Sequence, residues 1–159
     1  MLFRSMMMSQ VAGRAGRKKR RGLVILQTKQ KELPVIRQVV NNDFTGLYKD
    51  LIAERQAFHY PPYNRLIYVL LRHRQETTVH AAAMELGSWL RQWFGGRVLG
   101  PDKPAVAKVK QQNIRKLVLK LEPSLDMKRV REYLLLAQQQ LLADRRYSSL
   151  QIYYDIDPL

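Results

Sequence analysis

Cysteine is absent from the 159-residue sequence, which excludes disulfide bonds and thiolate zinc ligands. The three histidines, His59, His73 and His80, show no metal-ligand spacing and have no acidic partner set, so we predict no metal site. Acidic residues are also scarce. Only 13 Asp and Glu accompany 28 Lys and Arg, and the resulting net charge of +15 favours a polyanionic partner.

The sequence also lacks long apolar runs and the motifs of a complete ATP site. No run of about eighteen apolar residues occurs, and residues 1–8 lack the apolar stretch of a signal peptide, so we expect a cytoplasmic protein without a membrane span. Neither the phosphate-cradling G-x-x-x-x-G-K-S/T loop nor a magnesium-holding acidic motif is present. We therefore expect no ATP hydrolysis by this chain alone.

One short stretch nevertheless suits a nucleotide phosphate. It matches the pattern Q-x-x-G-R-x-G-R, with Gln10 followed by Gly13 beside Arg14 and by Gly16 beside Arg17. Arginine presents a planar fork of donors to phosphate oxygens, and neighbouring glycines let the backbone approach closely. From these residues alone, a phosphate-binding loop and a solvated basic turn are both open.

This stretch resembles the sixth motif of superfamily 2 helicases, and the residues after it resemble one branch, the primosomal protein N′ family of replication-restart helicases. The resemblance runs from about Arg4 to the C-terminus. It rests on five islands of sequence that follow the order and spacing of that family. The islands are residues 13–17, 22–28, 51–55 leading to 60–63, 98–101 and 155–158.

The resemblance implies that this chain is the C-terminal segment of such a helicase. In the intact helicase Arg17 would be the arginine finger, Arg14 its partner at the phosphates and Gln10 a link between nucleotide and lobe cleft, with Gly13 and Gly16 in the nucleotide loop. ATP and magnesium would belong to the intact protein. The family's cysteine-rich zinc-binding insertion lies upstream of the sixth motif and is not in this chain.

Periodicity along the chain predicts three parts. The apolar residues at 23–26 predict a buried strand, and without a parent sheet we expect the N-terminal elements to support a homodimer. Helical spacing of Phe44, Leu47 and Leu51 predicts a helix that ends before Pro61. Together with the resemblance, these patterns imply three parts: 1–32, the end of the second RecA-like helicase lobe; 33–63, a helical connector; and 64–159, a C-terminal domain.

The C-terminal part has the pattern of an α+β domain. Strands are predicted at 65–72, 97–110, 114–121 and 150–156, and amphipathic helices at 76–94 and 126–146. In the strand at 114–121 a row of leucines is predicted to point inward and the lysines Lys116 and Lys120 outward. The predicted inward residues are Leu117, Leu119 and Leu121 in this strand, Val79, Ala82, Ala83, Leu86, Leu90, Trp93 and Phe94 in the first helix, and Val130, Leu134, Ala137 and Leu141 in the second. The order β-α-β-β-α-β predicts a split ferredoxin-like sheet with both helices on one face. The C-terminal domain of the resembled family is similar, and it resembles a small-subunit ribosomal protein in fold.

The predicted hairpin carries concentrated positive charge. Between positions 97 and 120 there are seven basic residues and one acidic residue. We predict that Lys108, Lys110, Arg115 and Lys116 follow the phosphate backbone of forked or single-stranded DNA, with little dependence on base sequence. An ordinary solvated hairpin is the alternative. Base stacking has less support, because no aromatic residue lies in the tip.

A second basic cluster, Lys128, Arg129 and Arg131, begins the last predicted helix, and Tyr133 follows one turn after Arg129. The resemblance implies that this region binds the acidic tail of single-stranded DNA-binding protein. An exposed basic helix face is the alternative. The resemblance also implies a bacterial, nucleoid-associated protein that supports primosome assembly with other primosome proteins. A protein-docking module and an RNA-binding domain are the competing functions.

Overall fold

The computed structural model describes residues 23–158, which divide into two compact units after Phe58. The predicted nucleotide-loop residues Gln10, Gly13, Arg14, Gly16 and Arg17 lie outside the described residues.

The described part of the first unit contains two helices, of which the second was predicted from Phe44, Leu47 and Leu51. Helix α1 (Pro34–Val40) begins at a proline, whose fixed φ suits the first helical turn. Helix α2 (Phe44–Ala57) begins after Asp43, whose side chain accepts a hydrogen bond from the Gly46 amide at 2.8 Å. The predicted strand at 23–26 is wrong, because these residues have no regular secondary structure. Leu23 and Ile25 are 84% and 82% exposed, and no strand among the described residues pairs with them.

The second unit combines five strands with two long helices. Two short 3₁₀ turns, Gly95–Arg97 and Arg145–Tyr147, follow the helices. The elements in chain order are β1 (Arg65–His73), α3 (Glu76–Phe94), β2 (Val98–Asp102), β3 (Lys108–Val109), β4 (Gln112–Leu121), α4 (Met127–Ala143) and β5 (Gln151–Ile156).

The five strands form one antiparallel sheet in the order β2-β4-β1-β5, with β3 paired to β4 beside β2. Strand β1 lies in the middle and pairs on both sides. Ile67, for example, lies opposite Leu119 of β4 and Ile156 of β5. The α+β class predicted from the sequence is confirmed.

The hydrophobic core lies between one face of this sheet and the two long helices. Side chains alternate along a strand, so residues two apart share a face. The core side chains include those listed here: Ile67, Val69 and Leu71 of β1, Leu117, Leu119 and Leu121 of β4, Val79, Leu86 and Leu90 of α3, and Val130, Leu134 and Leu141 of α4. Burial of each leucine contributes roughly 1.5–3 kcal/mol. The predicted leucine row of β4 and the inward stripes of both helices are confirmed, except at Trp93, which is 39% exposed.

Two predicted boundaries are wrong. The long strand at 97–110 is interrupted, because the register between β2 and β4 shifts between Leu99 and Asp102 and residues 103–107 are not part of a strand. The second helix ends at Ala143 instead of 146. Asp144 ends it by accepting a hydrogen bond from the Arg146 amide at 2.8 Å, which begins the 3₁₀ turn.

Gly100 lies at the point where this register shifts. Its φ is +91°, a conformation that side chains rarely adopt. A Cβ atom there would lie 2.7 Å from the backbone oxygen of Lys116. The Arg91 guanidinium also donates a hydrogen bond to the Gly100 carbonyl. A residue with a side chain would therefore push β2 away from β4.

We predict that Gly100→Ala lowers the free energy of unfolding by about 1–3 kcal/mol, because it adds both backbone strain and a steric clash. Denaturant unfolding measures the effect. Gly96→Ala is the matched control, since a Cβ atom at Gly96 meets nothing within 4 Å. Equal stability of the two variants would contradict this account of Gly100.

Candidate nucleic-acid interface

The β3–β4 hairpin carries two of the predicted DNA-binding lysines at its end. The strand pairing leaves Lys110 and Gln111 as a two-residue turn. Both have positive φ, 46° and 61°, as a type I′ turn requires. Lys108 and Lys110 are exposed and form no ion pair with any described residue. We call residues 108–112 the hairpin tip.

Arg115 does not belong to this exposed surface. Its side chain is 6% exposed and its guanidinium lies 2.8 Å from Oε1 of Glu76. The same side chain donates a hydrogen bond to the Ile114 carbonyl at 3.0 Å. Because Arg115 lies opposite Leu71 in the sheet, it points toward the core side and the start of α3. We therefore remove Arg115 from the predicted DNA-contact set.

The strand alternation could have revealed this position. Arg115 is separated by even intervals from Leu117, Leu119 and Leu121, which are all fully buried. Residues at even spacing share a face of the strand, so the leucine row already placed Arg115 on the inner face. Arg115 was included among the predicted DNA-contact residues because of its positive charge.

Glu76 joins Arg115 to a second cation. Its Oε1 atom lies 2.8 Å from Nζ of Lys103 as well as 2.8 Å from the Arg115 guanidinium. The hydrogen bond from Lys103, followed by that from Arg115, lowers the pKa of Glu76 from 4.5 to about 2. The carboxylate therefore stays charged and neutralises a guanidinium that is largely withdrawn from water.

The side of the sheet away from α3 and α4 combines aromatic and basic side chains. Tyr153 is 43% exposed there, and most of its neighbours are half-buried. We call this surface the outer sheet face. It is formed by Tyr68, Leu70, Arg72, Lys116, Val118, Lys120, Tyr153 and Asp155.

Two cations of the outer sheet face lie over aromatic rings. The Lys116 ammonium is 4.4 Å from the ring centroid of Tyr68, and the Arg72 guanidinium is 4.8 Å from that of Tyr153. Within residues 23–158, neither cation forms an ion pair with a carboxylate. The pKa of the Tyr68 hydroxyl is raised, chiefly by burial and then by Tyr60 and Asp155. Lys116 was predicted from the sequence as an outward lysine, but its tyrosine partner was not.

Sequence reasoning missed these tyrosines because they lie far apart in the chain. Tyr68 is on β1 and Tyr153 is on β5, and pairing of these strands brings them together. Tyr60 adds a third ring, with the Lys120 ammonium 4.4 Å from its centroid. The only available signal was that tyrosines occur at outward positions of two predicted strands.

The second basic cluster is divided between two faces of α4. Lys128 and Arg131 line a groove of about 610 Å³ together with Arg65 and apolar residues of α4, β1 and β5. We call it the α4 groove. Arg129 is exposed and does not line this groove. Tyr133 lies elsewhere, in an aromatic cluster in which its ring stacks on Trp93 at 4.8 Å and meets the edge of Phe94 at 6.0 Å. The four predicted residues thus do not form one site.

Residues 23–158 lack two features that would indicate other functions. None of the helices in this part of the chain is long and apolar enough to cross a membrane. The same residues contain no group of three or more His, Cys, Asp or Glu side chains arranged to hold a metal ion.

These features define a small α+β domain with a basic hairpin and an aromatic, basic sheet face. The family model for the primosomal protein N C-terminal domain matches residues 56–159. The chain belongs to this family, and the resemblance inferred from the sequence is thereby confirmed.

Three relatives illustrate the similarity, and each bears the name replication restart protein PriA. The Treponema pallidum protein is 36% identical over 105 residues, which are 65% of this chain and 16% of that protein. The Thermotoga maritima protein is 32% identical over 121 residues, or 76% of this chain and 16% of that protein. The Haemophilus influenzae protein is 26% identical over 152 residues, which are 94% of this chain and 20% of that protein. The chain thus spans at most 20% of the length of these relatives.

We predict that Glu76→Gln destabilises the protein near neutral pH, because Arg115 loses the charge that neutralises it. The pKa of Glu76 is lowered, so its stabilising contribution is present above 4.5 and is lost as the pH falls towards about 2. The stability difference between native protein and variant should therefore shrink across that interval. Thermal unfolding at a series of pH values measures it. Glu132→Gln, at an exposed carboxylate of α4, is the control, and an E76Q difference that does not change with pH would refute the assignment.

Proposed function

We propose that this chain binds forked or single-stranded DNA as the C-terminal part of a replication-restart helicase. The observation that carries the proposal is the hairpin tip, where Lys108 and Lys110 are exposed at a projecting turn without a carboxylate partner among the described residues. A net charge of +15 adds long-range attraction to a polyanion. Contacts of this kind neutralise phosphates and release counterions, so they give affinity with little base selectivity.

We assign the second unit to the ferredoxin-like class. The order of elements, β-α-β-β-α-β, supports this assignment once the short β3 is taken with β2 as one interrupted strand. Further support comes from the antiparallel order β2-β4-β1-β5 and from two helices that contribute to one core. The hairpin then lies at the end of the sheet, where a projecting turn reaches a ligand without disturbing the core.

The intact helicase would carry the ATP chemistry. In it, the predicted residues Gln10, Arg14 and Arg17 would act on the phosphates of ATP with magnesium, and residues 1–32 would complete the second RecA-like lobe. Because the sequence has no phosphate-cradling loop of its own, the chain alone would bind DNA without hydrolysing ATP. Its role would be to place the helicase on stalled forks and to support primosome assembly.

A protein-docking role is the second candidate, and the α4 groove favours it. The groove has apolar walls from Met127, Leu134 and Tyr154, and its basic lining residues include Lys128 and Arg131. An acidic peptide with apolar side chains complements such a surface, as the tail of single-stranded DNA-binding protein would. Self-association through residues 1–32 is the other form of this candidate.

We predict that Lys108→Ala with Lys110→Ala lowers affinity for forked DNA roughly tenfold and makes the slope of log affinity against log salt shallower by about 2. Fluorescence anisotropy across a salt series measures both quantities. The matched control is Lys128→Ala with Arg131→Ala, which removes the same charge from α4. An equal loss in both double variants would mean that only net charge matters, and the hairpin would not be the site.

The docking candidate is tested with the same proteins. An acidic, apolar peptide with a free C-terminal carboxylate should bind the native chain and the hairpin variant equally. It should bind the K128A/R131A variant several-fold more weakly, because the basic groove residues are lost. Equal peptide binding by all three proteins would remove the groove from consideration.

A further inference from the structure

The outer sheet face places tyrosine rings and cations side by side on neighbouring strands. Tyr68 lies opposite Asp155, and Tyr153 lies opposite Leu70, so the two tyrosines are diagonal neighbours on β1 and β5. Diagonal neighbours on a sheet are roughly 7–8 Å apart. This separation is comparable with that of successive nucleotides in an extended single strand.

The two rings do not belong to the hydrophobic core. Tyr153 is 43% exposed and Tyr68 is half-buried, whereas the residues that flank Tyr68 along β1, Ile67 and Val69, are 2% and 0% exposed. A cation lies over each ring, Lys116 over Tyr68 and Arg72 over Tyr153. A half-exposed ring on a sheet can receive a nucleobase, because every base has a π-face and stacking requires no particular sequence.

The energies favour a base over the cation. An exposed contact between a cation and an aromatic ring is a weak interaction. Stacking of a base on an aromatic side chain is stronger and does not depend on the base. A base that displaced the Lys116 ammonium from Tyr68 would bring its own phosphate near that ammonium, so the lost contact with the ring would be offset by a contact with the phosphate.

The charge of this face suits the sugar-phosphate backbone of such a strand. Arg72 and Lys116 form no ion pair with a carboxylate in the described part of the chain. The Arg72 Nε atom is buried and has no hydrogen-bond partner among the described residues, and the guanidinium lies over the Tyr153 ring. Asp155, beside Tyr68, is the carboxylate that opposes an anionic ligand on this face.

We propose that the outer sheet face binds unpaired nucleotides of single-stranded DNA, with Tyr68 and Tyr153 stacking on bases and Arg72 and Lys116 contacting phosphates. The proposal deepens the proposed DNA-binding function and rests on it. The hairpin tip would hold the backbone in any form of DNA, whereas the sheet face would require unstacked bases. The domain would then recognise the single-stranded part of a fork.

The test compares an oligodeoxythymidylate with an abasic oligonucleotide of the same length, which has the same phosphates but no bases. Anisotropy with the full chain should show roughly tenfold tighter binding of the oligonucleotide with bases. Y68L with Y153L should abolish this preference while leaving affinity for the abasic strand and the salt slope unchanged. Y48L, at a tyrosine of the first unit that is 64% exposed, is the matched control and should keep the preference.

A second variant distinguishes a specific loss of DNA binding from misfolding of the protein. Asp155→Asn removes the negative charge beside Tyr68, so it should raise affinity for the oligodeoxythymidylate roughly two- to fivefold. A gain cannot come from an unfolded protein. No gain in D155N, together with an unchanged preference in Y68L/Y153L, would overturn the proposal.

The remaining outcomes separate this proposal from the function on which it rests. If the native chain binds both oligonucleotides equally, the sheet face does not stack on bases, although the hairpin remains a DNA site. If the native chain binds neither, DNA binding itself fails and the sheet-face proposal fails with it. If an oligoribonucleotide of matched length binds far more tightly, the proposed DNA ligand is wrong and the surface is selective for RNA.

Discussion

The two-sided pairing of strand β1 supports both the core and the candidate site. Its residues alternate between the core and the outer sheet face, so Ile67, Val69 and Leu71 are buried while Tyr68 and Arg72 point the other way. Because β4 pairs on one side of β1 and β5 on the other, the register of this strand also sets which side chains meet across the sheet. A slip of one residue would exchange the two faces and remove both the core and the aromatic surface.

The ion pair with Glu76 neutralises Arg115, which this register places on the core side of the sheet. Arg115 lies on the core side of β4, where an uncompensated guanidinium would be costly. Glu76, in the first turn of α3, supplies the compensating charge and also holds Lys103 from the irregular segment after β2. One carboxylate thus connects the sheet, the first long helix and the loop that leads to the hairpin. Because Arg115 is buried in this pair, fewer cations of the hairpin are available to a ligand than its sequence suggests.

The basic residues of the second unit are divided among separate surfaces. Lys108 and Lys110 are at the hairpin tip, Lys116 is among the tyrosines of the outer sheet face, and Lys128 and Arg131 line the α4 groove. The proposed DNA and peptide ligands would therefore bind different surfaces, although β1 and β5 contribute residues to both the outer sheet face and the α4 groove. The aromatic cluster of Trp93, Phe94 and Tyr133 lies apart from the α4 groove, which separates Tyr133 from the basic residues predicted to act with it.

The sequence alone determined the local elements and the family. Alternation and helical spacing depend only on nearby residues, so the leucine row of β4, both long helices and the α+β class could be predicted. Charge density identified Lys108 and Lys110 for the same reason, because the turn that exposes them is local. Which distant side chains meet could not be predicted, because strand pairing and helix packing join residues that have no periodic relation in the chain. The structure pairs Arg115 with Glu76, separates Tyr133 from Lys128 and places Tyr68 beside Tyr153.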